Sequence, residues 1–287
     1  MRYLIEHETH LTFPETIREH HCELRVIPQN HGEQRIHGVR IEVEPTAELF
    51  RYTDFFGNVV SHFGVVEAHD SLVTRVEIDV ETMLENPFGY QAVEPRRERA
   101  WIADALHSQP RLWDFVLHRS PSVPDLQAFK EEHAFPTYSG ERPLLESVQE
   151  STAWVRDNIV YDADATRVHS TLAEVLEQRA GVCQDFAHML VAIVRSWGFA
   201  ARYVMGYQDP GYIKDGGEHA THAWAEVLIP GAGWRGFDAT NGLLADHTYV
   251  RVAVGRDSND AAPQRGSFKG DGKGDDPEVS LRVMRQQ

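Results

Sequence analysis

Residues 179–190 read RAGVCQDFAHML. From Cys183 onward the apolar residues recur at helical steps: Phe186, Ala187, Leu190, Ile193, Val194 and Trp197 fall on one stripe. This spacing predicts a helix that starts at about Cys183 and stops before Gly198, a residue suited to the position just past a helix C-terminus. Cys183 then stands at the head of the stripe, not on it. A helix start presents unpaired N–H groups and partial positive charge, and both favour a thiolate over a thiol. The polar neighbours Gln184 and Asp185 fit a cleft. A free cysteine can equally be a small buried hydrophobe, so this stretch alone leaves Cys183 open between the two.

A thiolate nucleophile needs an imidazole to take and return a proton, and the imidazole needs a third group to fix its tautomer. Residues 221–242, THAWAEVLIPGAGWRGFDATNG, place His222 on one strand and Asp238 on the next. Their register is a constraint. A tight hairpin that pairs Ile229 with Trp234 would set Asp238 opposite Ala225, on a different face from His222. A widened or irregular VLIPGAG connection is therefore expected, or else strand twist acting on a diagonal pair. Trp224 shares the strand face of His222, where it can shield the imidazole or simply pack. The backbone N–H of Cys183, helped by Gln184, is the candidate oxyanion donor. His188 is read as a packing residue, and Cys22, in a strand-like stretch, as a small buried hydrophobe.

Outward from this region the texture is uneven. Residues 1–82 alternate in short runs such as YLIEHETHLTF, HCELRVIP, RIHGVRIEVEP and LVTRVEIDVET, with Gly57-Asn58 marking a hairpin turn. This predicts an antiparallel β domain. Residues 89–140 are helix-leaning but interrupted by prolines, and read as a connector. RPLLESVQESTAWVRDNIVYD predicts a helix, Ser170 or Thr171 caps a short one ending at Gly181, and ARYVMGYQ reads as a strand. The closing SFKGDGKGDDPEVSLRVMRQQ is a Gly- and Asp-rich loop followed by a short strand or a frayed tail. The resulting division is a β domain over 1–88, a helical connector over 89–140 and a core over 141–287.

The 287 residues carry 28 Lys and Arg against 44 Asp and Glu, a net charge of −16 that would repel a phosphate backbone, so no nucleic-acid partner is expected. No apolar run is long enough for a membrane span and the N-terminus turns polar within a few residues, so the expectation is no membrane partner and a cytoplasmic location. Two cysteines are too few for a disulfide framework. His219, His222, Cys183 and His188 offer zinc-ligand types but no paired ligand spacing, and DGKGDD lacks the ordered ligands of a calcium loop. Neither a metal nor a cofactor is expected.

The motifs RAGVCQDFAHML and THAWAEVLIPGAGWRGFDATNG together resemble the transglutaminase-like superfamily of papain-type thiol enzymes. The resemblance is to its bacterial branch, in which an N-terminal β domain precedes the catalytic core, and it extends to YTDFFGNVVSHF and VAVGRDSNDAAPQRGSFKG. It implies an α+β fold with a helix packed on an antiparallel sheet. It also implies that Cys183 matches the nucleophile, His222 the base and Asp238 the orienting acid. One departure is Asp238-Ala239-Thr240 where the family usually reads Asp-Pro-Thr, which removes no chemical group. The expected activity is acyl transfer on a peptide or protein substrate through a thioester on Cys183. With water as acceptor the enzyme is a cysteine peptidase or amidase; with an amine it is a transglutaminase; with the three residues misassembled the chain is a peptide-binding module.

Overall fold

Alternation of apolar and polar residues from Arg2 onward runs without a break into one long strand, β1 (Arg2–Ile27), rather than the two separate strands expected. Its side chains alternate in burial, with Tyr3, Ile5 and His7 inward. The strand turns a corner midway: its register against β5 (His69–Thr82) shifts between Thr12 and Ile17, Pro14 lies in the gap, and Glu19 has φ of +48°. The remaining strands of this half are β2 (Gln34–Glu44), β3 (Phe50–Thr53) and β4 (Val59–Val65). The hairpin between β3 and β4 turns at Gly57-Asn58 as expected, organised by Asp54, whose carboxylate accepts from the N–H groups of Phe56 and Asn58. This computed structural model describes residues 1–166, 170–209, 211, 221–270 and 274–286.

The connecting stretch forms α1 (Pro95–Ser108) and α2 (Asp114–Leu117), which bury Ile102, Leu106, Phe115 and Val116 in the core of the second half. That half comprises α3 (Leu144–Asn158), β6 (Val160–Tyr161), α4 (Leu172–Gln178), β7 (Ala180–Gly181) and α5 (Cys183–Ser196). An antiparallel sheet follows, made of β8 (Ala201–Gln208), β9 (His222–Ile229), β10 (Gly233–Asp238), β11 (Leu243–Leu244) and β12 (Tyr249–Gly255), in the order β11-β10-β9-β8-β12. α4 opens with a Thr171–Glu174 capping box and stops at Arg179, whose φ is +53°, two residues before the Gly181 stop that was expected. α5 packs on the sheet and is buried on every side from Asp185 to Arg195, more than the single stripe implied.

The last strands, β13 (Gln264–Lys269) and β14 (Glu278–Gln286), do not extend the sheet under α5. Both pair antiparallel with β1, β14 along its first half and β13 along its second. They cover an edge that would otherwise expose a long row of unpaired backbone groups. Part of the Gly- and Asp-rich loop between them, residues 271–273, lies outside the described residues, as does His219. The fold is α+β, an N-terminal antiparallel half-barrel joined to a helix-on-sheet core. One apolar cluster joins Tyr3, Ile5 and Leu24 of the half-barrel to Tyr203, Met205 and Tyr207 of β8. Asn58 reinforces the joint, its Nδ2 donating to Val254 O and its Oδ1 accepting from Val254 N, both at 2.8 Å. Among the described residues no helix is long and apolar enough to cross a membrane.

Candidate active site

Cys183 is the first residue of α5, as its sequence position predicts. Its approach is rigid. The carboxylate of Asp185, 1% exposed, accepts from Val182 N at 2.9 Å and from Thr166 Oγ1 at 2.6 Å, tying the strand-to-helix turn together. Gly181 makes room for it, because a Cβ there would lie 2.7 Å from Asp185 Oδ2. Asp185 is therefore an internal brace and not the cleft-facing group its polarity suggested. Cys183 itself is partly buried, and the first-turn N–H groups of α5, including its own, have no acceptor within the helix. Gln184 sits beside it, also partly exposed.

β9 begins at His222 and β10 ends at Asp238. The connection between them is a tight hairpin, not the wide loop expected. Ile229 pairs with Gly233 and Ala225 with Phe237, so Asp238 follows opposite Trp224. That register differs by one residue from the tight hairpin considered from sequence, and one residue reverses the face. Asp238 and His222 become a diagonal pair on one face, and His222 Nε2 meets Asp238 Oδ2 at 2.8 Å. Gly231 and Gly233, with φ of +83° and +79°, permit the turn, and a Cβ on Gly231 would lie 2.2 Å from Gln91 O.

With Nε2 bonded to Asp238, Nδ1 is the free ring nitrogen of His222, and Cys183 lies near enough to the imidazole to act on it electrostatically. Burial alone would push the imidazolium down. The charge and hydrogen bond of Asp238, reinforced by Cys183, outweigh it and push the His222 pKa up to about 10. Asp238 is 0% exposed and is held below the usual carboxylate range: burial opposes ionisation, but His222, Asn241 and Tyr249 overcome it. Its Oδ2 also accepts from Asn241 Nδ2 at 2.7 Å and Tyr249 Oη at 2.8 Å, and its Oδ1 from the N–H groups of Thr240 and Asn241. Gln208 completes the set by donating to Tyr249 Oη. The Ala239 departure leaves this cage intact, since the donors are at 240 and 241. Sequence reasoning missed Tyr249 and Gln208, which are remote in the chain; Asn241 was within reach, three residues past Asp238.

Trp224 is 1% exposed and buried behind the site. Its indole stacks behind His222 at a centroid distance of 6.1 Å and keeps water from that side. His188 packs, accepting from Ser258 N at 3.0 Å. Among the described residues no group of three His, Cys, Asp or Glu side chains could hold a metal. Val160 and Tyr161, 68% and 55% exposed, lie on β6, which pairs in parallel with β7 just before Cys183. The Tyr161 phenol is pushed up by burial and by the Cys183 charge, a mark of its nearness. A thiol, an imidazole and a buried carboxylate in this order can exchange a proton and present a nucleophilic sulfur.

Two family models match the chain: the transglutaminase-like superfamily over residues 132–239 and the bacterial transglutaminase-like N-terminal region over residues 3–81. An uncharacterized protein of Mycobacterium tuberculosis is 31% identical over 297 residues, spanning 99% of this chain and 92% of its own length. One from Mycobacterium leprae is 29% identical over 292 residues, with 99% of each chain covered. The crystal structure of a proposed cysteine protease from Cytophaga hutchinsonii shares the fold, with a TM-score of 0.76, 22% identity, and coverage of 100% of this chain and 92% of that one.

Proposed function

Since the chain belongs to the transglutaminase-like superfamily, we propose that it is a thiol-dependent acyl-transfer enzyme, a cysteine peptidase or amidase in which Cys183 is the nucleophile, His222 the acid–base group and Asp238 the orienting carboxylate. The observation that carries this reading is the His222–Asp238 hydrogen bond at 2.8 Å with Cys183, at the start of α5, close to the same imidazole. The raised imidazolium supports His222 as the holder of the proton when Cys183 attacks as a thiolate. Cys183 Sγ attacks the carbonyl carbon, and the oxyanion forms against the Cys183 N–H, with Gln184 beside it. His222 Nδ1 delivers its proton to the departing amine as the C–N bond breaks, leaving a thioester. Water then gives a proton to His222 and its hydroxide to the acyl carbon, releasing the acid and the thiolate. Val160 and Tyr161 border the substrate on the exposed side. Water rather than an amine as acceptor is supported by the proposed protease that shares the fold. Two free thiols support a reducing, cytoplasmic setting.

The test is mass spectrometry of a peptide library incubated with wild type and Cys183→Ala, with and without an added primary amine. Cleavage or deamidation by wild type alone is expected. Amine incorporation would identify a cross-linking enzyme, and no product in any arm would leave a peptide-binding module.

A further inference from the structure

Inside the corner of β1 lies a cavity of about 400 Å³, large enough for a bulky side chain and its flanking backbone. Both halves of β1 line it, together with β5, β13 and the approach to β14. One residue in four of this chain is charged, yet no Asp, Glu, Lys or Arg is among the described residues that line the cavity. Its wall is mostly apolar, with Phe13, Leu24, Val76 and Phe268 contributing. The two histidines in it are neutral, because burial pushes both His7 and His20 down to about 4. Each is already engaged: His7 Nδ1 with Tyr207 Oη at 2.9 Å, His20 with Cys22 and His69. Gln264 is engaged only by the Cys22 thiol beside its carboxamide, and its buried Oε1 has no hydrogen-bond partner among the described residues. A buried amide oxygen without a donor is costly to leave unpaired, and a peptide N–H is the group that would satisfy it.

The cavity reaches Thr221, the residue that precedes His222 in the chain. Tyr207, which holds His7, follows Gly206, and Gly206 pairs with His222 across β8 and β9. Cys183 packs against the same apolar cluster that includes Leu24, Val26 and Val76 of the cavity wall.

We propose that this cavity is a substrate subsite: it takes an uncharged, bulky apolar side chain of the peptide, with the adjoining peptide group paired to the Gln264 carboxamide. The N-terminal half-barrel is then the specificity element of the enzyme. The inference rests on acyl transfer at Cys183, and its test separates the two. Binding of N-acetyl-phenylalanine amide and of N-acetyl-aspartic acid amide is measured by ligand-observed NMR on full-length Cys183→Ala. The phenylalanine probe should bind at least about tenfold more tightly than the acidic one. Val76→Trp, which fills the cavity, should abolish binding, and Gln264→Leu should weaken it about tenfold, the value of one lost amide pairing. In the wild type, the phenylalanine probe should slow alkylation of Cys183 by iodoacetamide several-fold, and should not in Gln264→Leu at the same concentration. If Val76→Trp does not fold, judged by circular dichroism, Gln264→Leu alone decides. Equal binding of the two probes, binding insensitive to Gln264→Leu, or alkylation unaffected by a bound probe would overturn the subsite. An intact subsite in a protein that processes no peptide would instead overturn the activity.

Discussion

Cys183 and Cys22 carry the same thiol into opposite surroundings. Cys22 is 1% exposed, and burial pushes its thiol up to about 12, with Gln264 opposing only in part. Cys183 is partly open at a helix start beside an imidazole. Iodoacetamide at neutral pH should therefore modify Cys183 at least about tenfold faster than Cys22 in the folded protein, as peptide mapping would read. Preferential labelling of Cys22 would remove Cys183 from its proposed role. Around His222 the effects should be graded. His222→Ala removes the proton carrier and should lower kcat/KM by about 10³-fold or more, whereas Asp238→Asn keeps a base in place and should cost less. Tyr249→Phe removes one of the donors on the Asp238 carboxylate and should cost about tenfold, with a displaced pH–rate profile. Wild-type turnover in His222→Ala would require another base.

At the scale of elements, the helix that starts at Cys183 was legible because a 3.6-residue period and a terminal glycine are local signals. The strand positions of His222 and Asp238 were legible for the same reason. Their register was not. It depends on whether the loop holds three residues or four, and the answer lies in Gly231 and Gly233 with positive φ, which no strand pattern encodes. The cage around Asp238 draws Tyr249 and Gln208 from β12 and β8, strands placed in the same sheet as β10, beyond β9, by topology and not by spacing. Likewise the corner in β1 and the strands β13 and β14 that flank it come from closing a sheet edge, a whole-fold requirement. The turn into α5 offers a direct check on how its start is held. Gly181→Ala sets a Cβ 2.7 Å from Asp185 Oδ2, so the brace must move. It should destabilise the protein by ~1–3 kcal/mol in urea melts and slow Cys183 alkylation; melts and labelling that match wild type would show that the brace does not position the thiol.

At the scale of the whole molecule, buried histidines in both halves give stability a defined pH dependence. His7 bonds Tyr207 across the joint, His20 lines the cavity, His31 adjoins β2, and His188 lies within α5. Burial pushes all four down to about 4, from an ordinary value of 6.5. Between these two values the unfolded chain binds protons that the folded chain refuses, so stability is present above about 6.5 and is lost as pH falls toward 4. His222 has the opposite sign. Its pKa is raised to about 10, so its contribution is complete below 6.5 and is lost as pH rises through that interval. The two wings place the stability maximum near neutrality. Each pKa unit corresponds to ~1.4 kcal/mol, so four groups acting together should make the acid wing the steeper one. Urea melts from pH 8 to pH 4 should show stability falling by several kcal/mol below pH 6.5, on the order expected from these shifts. The variant His7→Gln, which keeps a hydrogen-bonding partner for Tyr207 but cannot titrate, should flatten that wing measurably. A wild-type profile that stays level from pH 7 to pH 5 would mean that the buried histidines accept protons where they sit, and that their neutrality contributes nothing to stability.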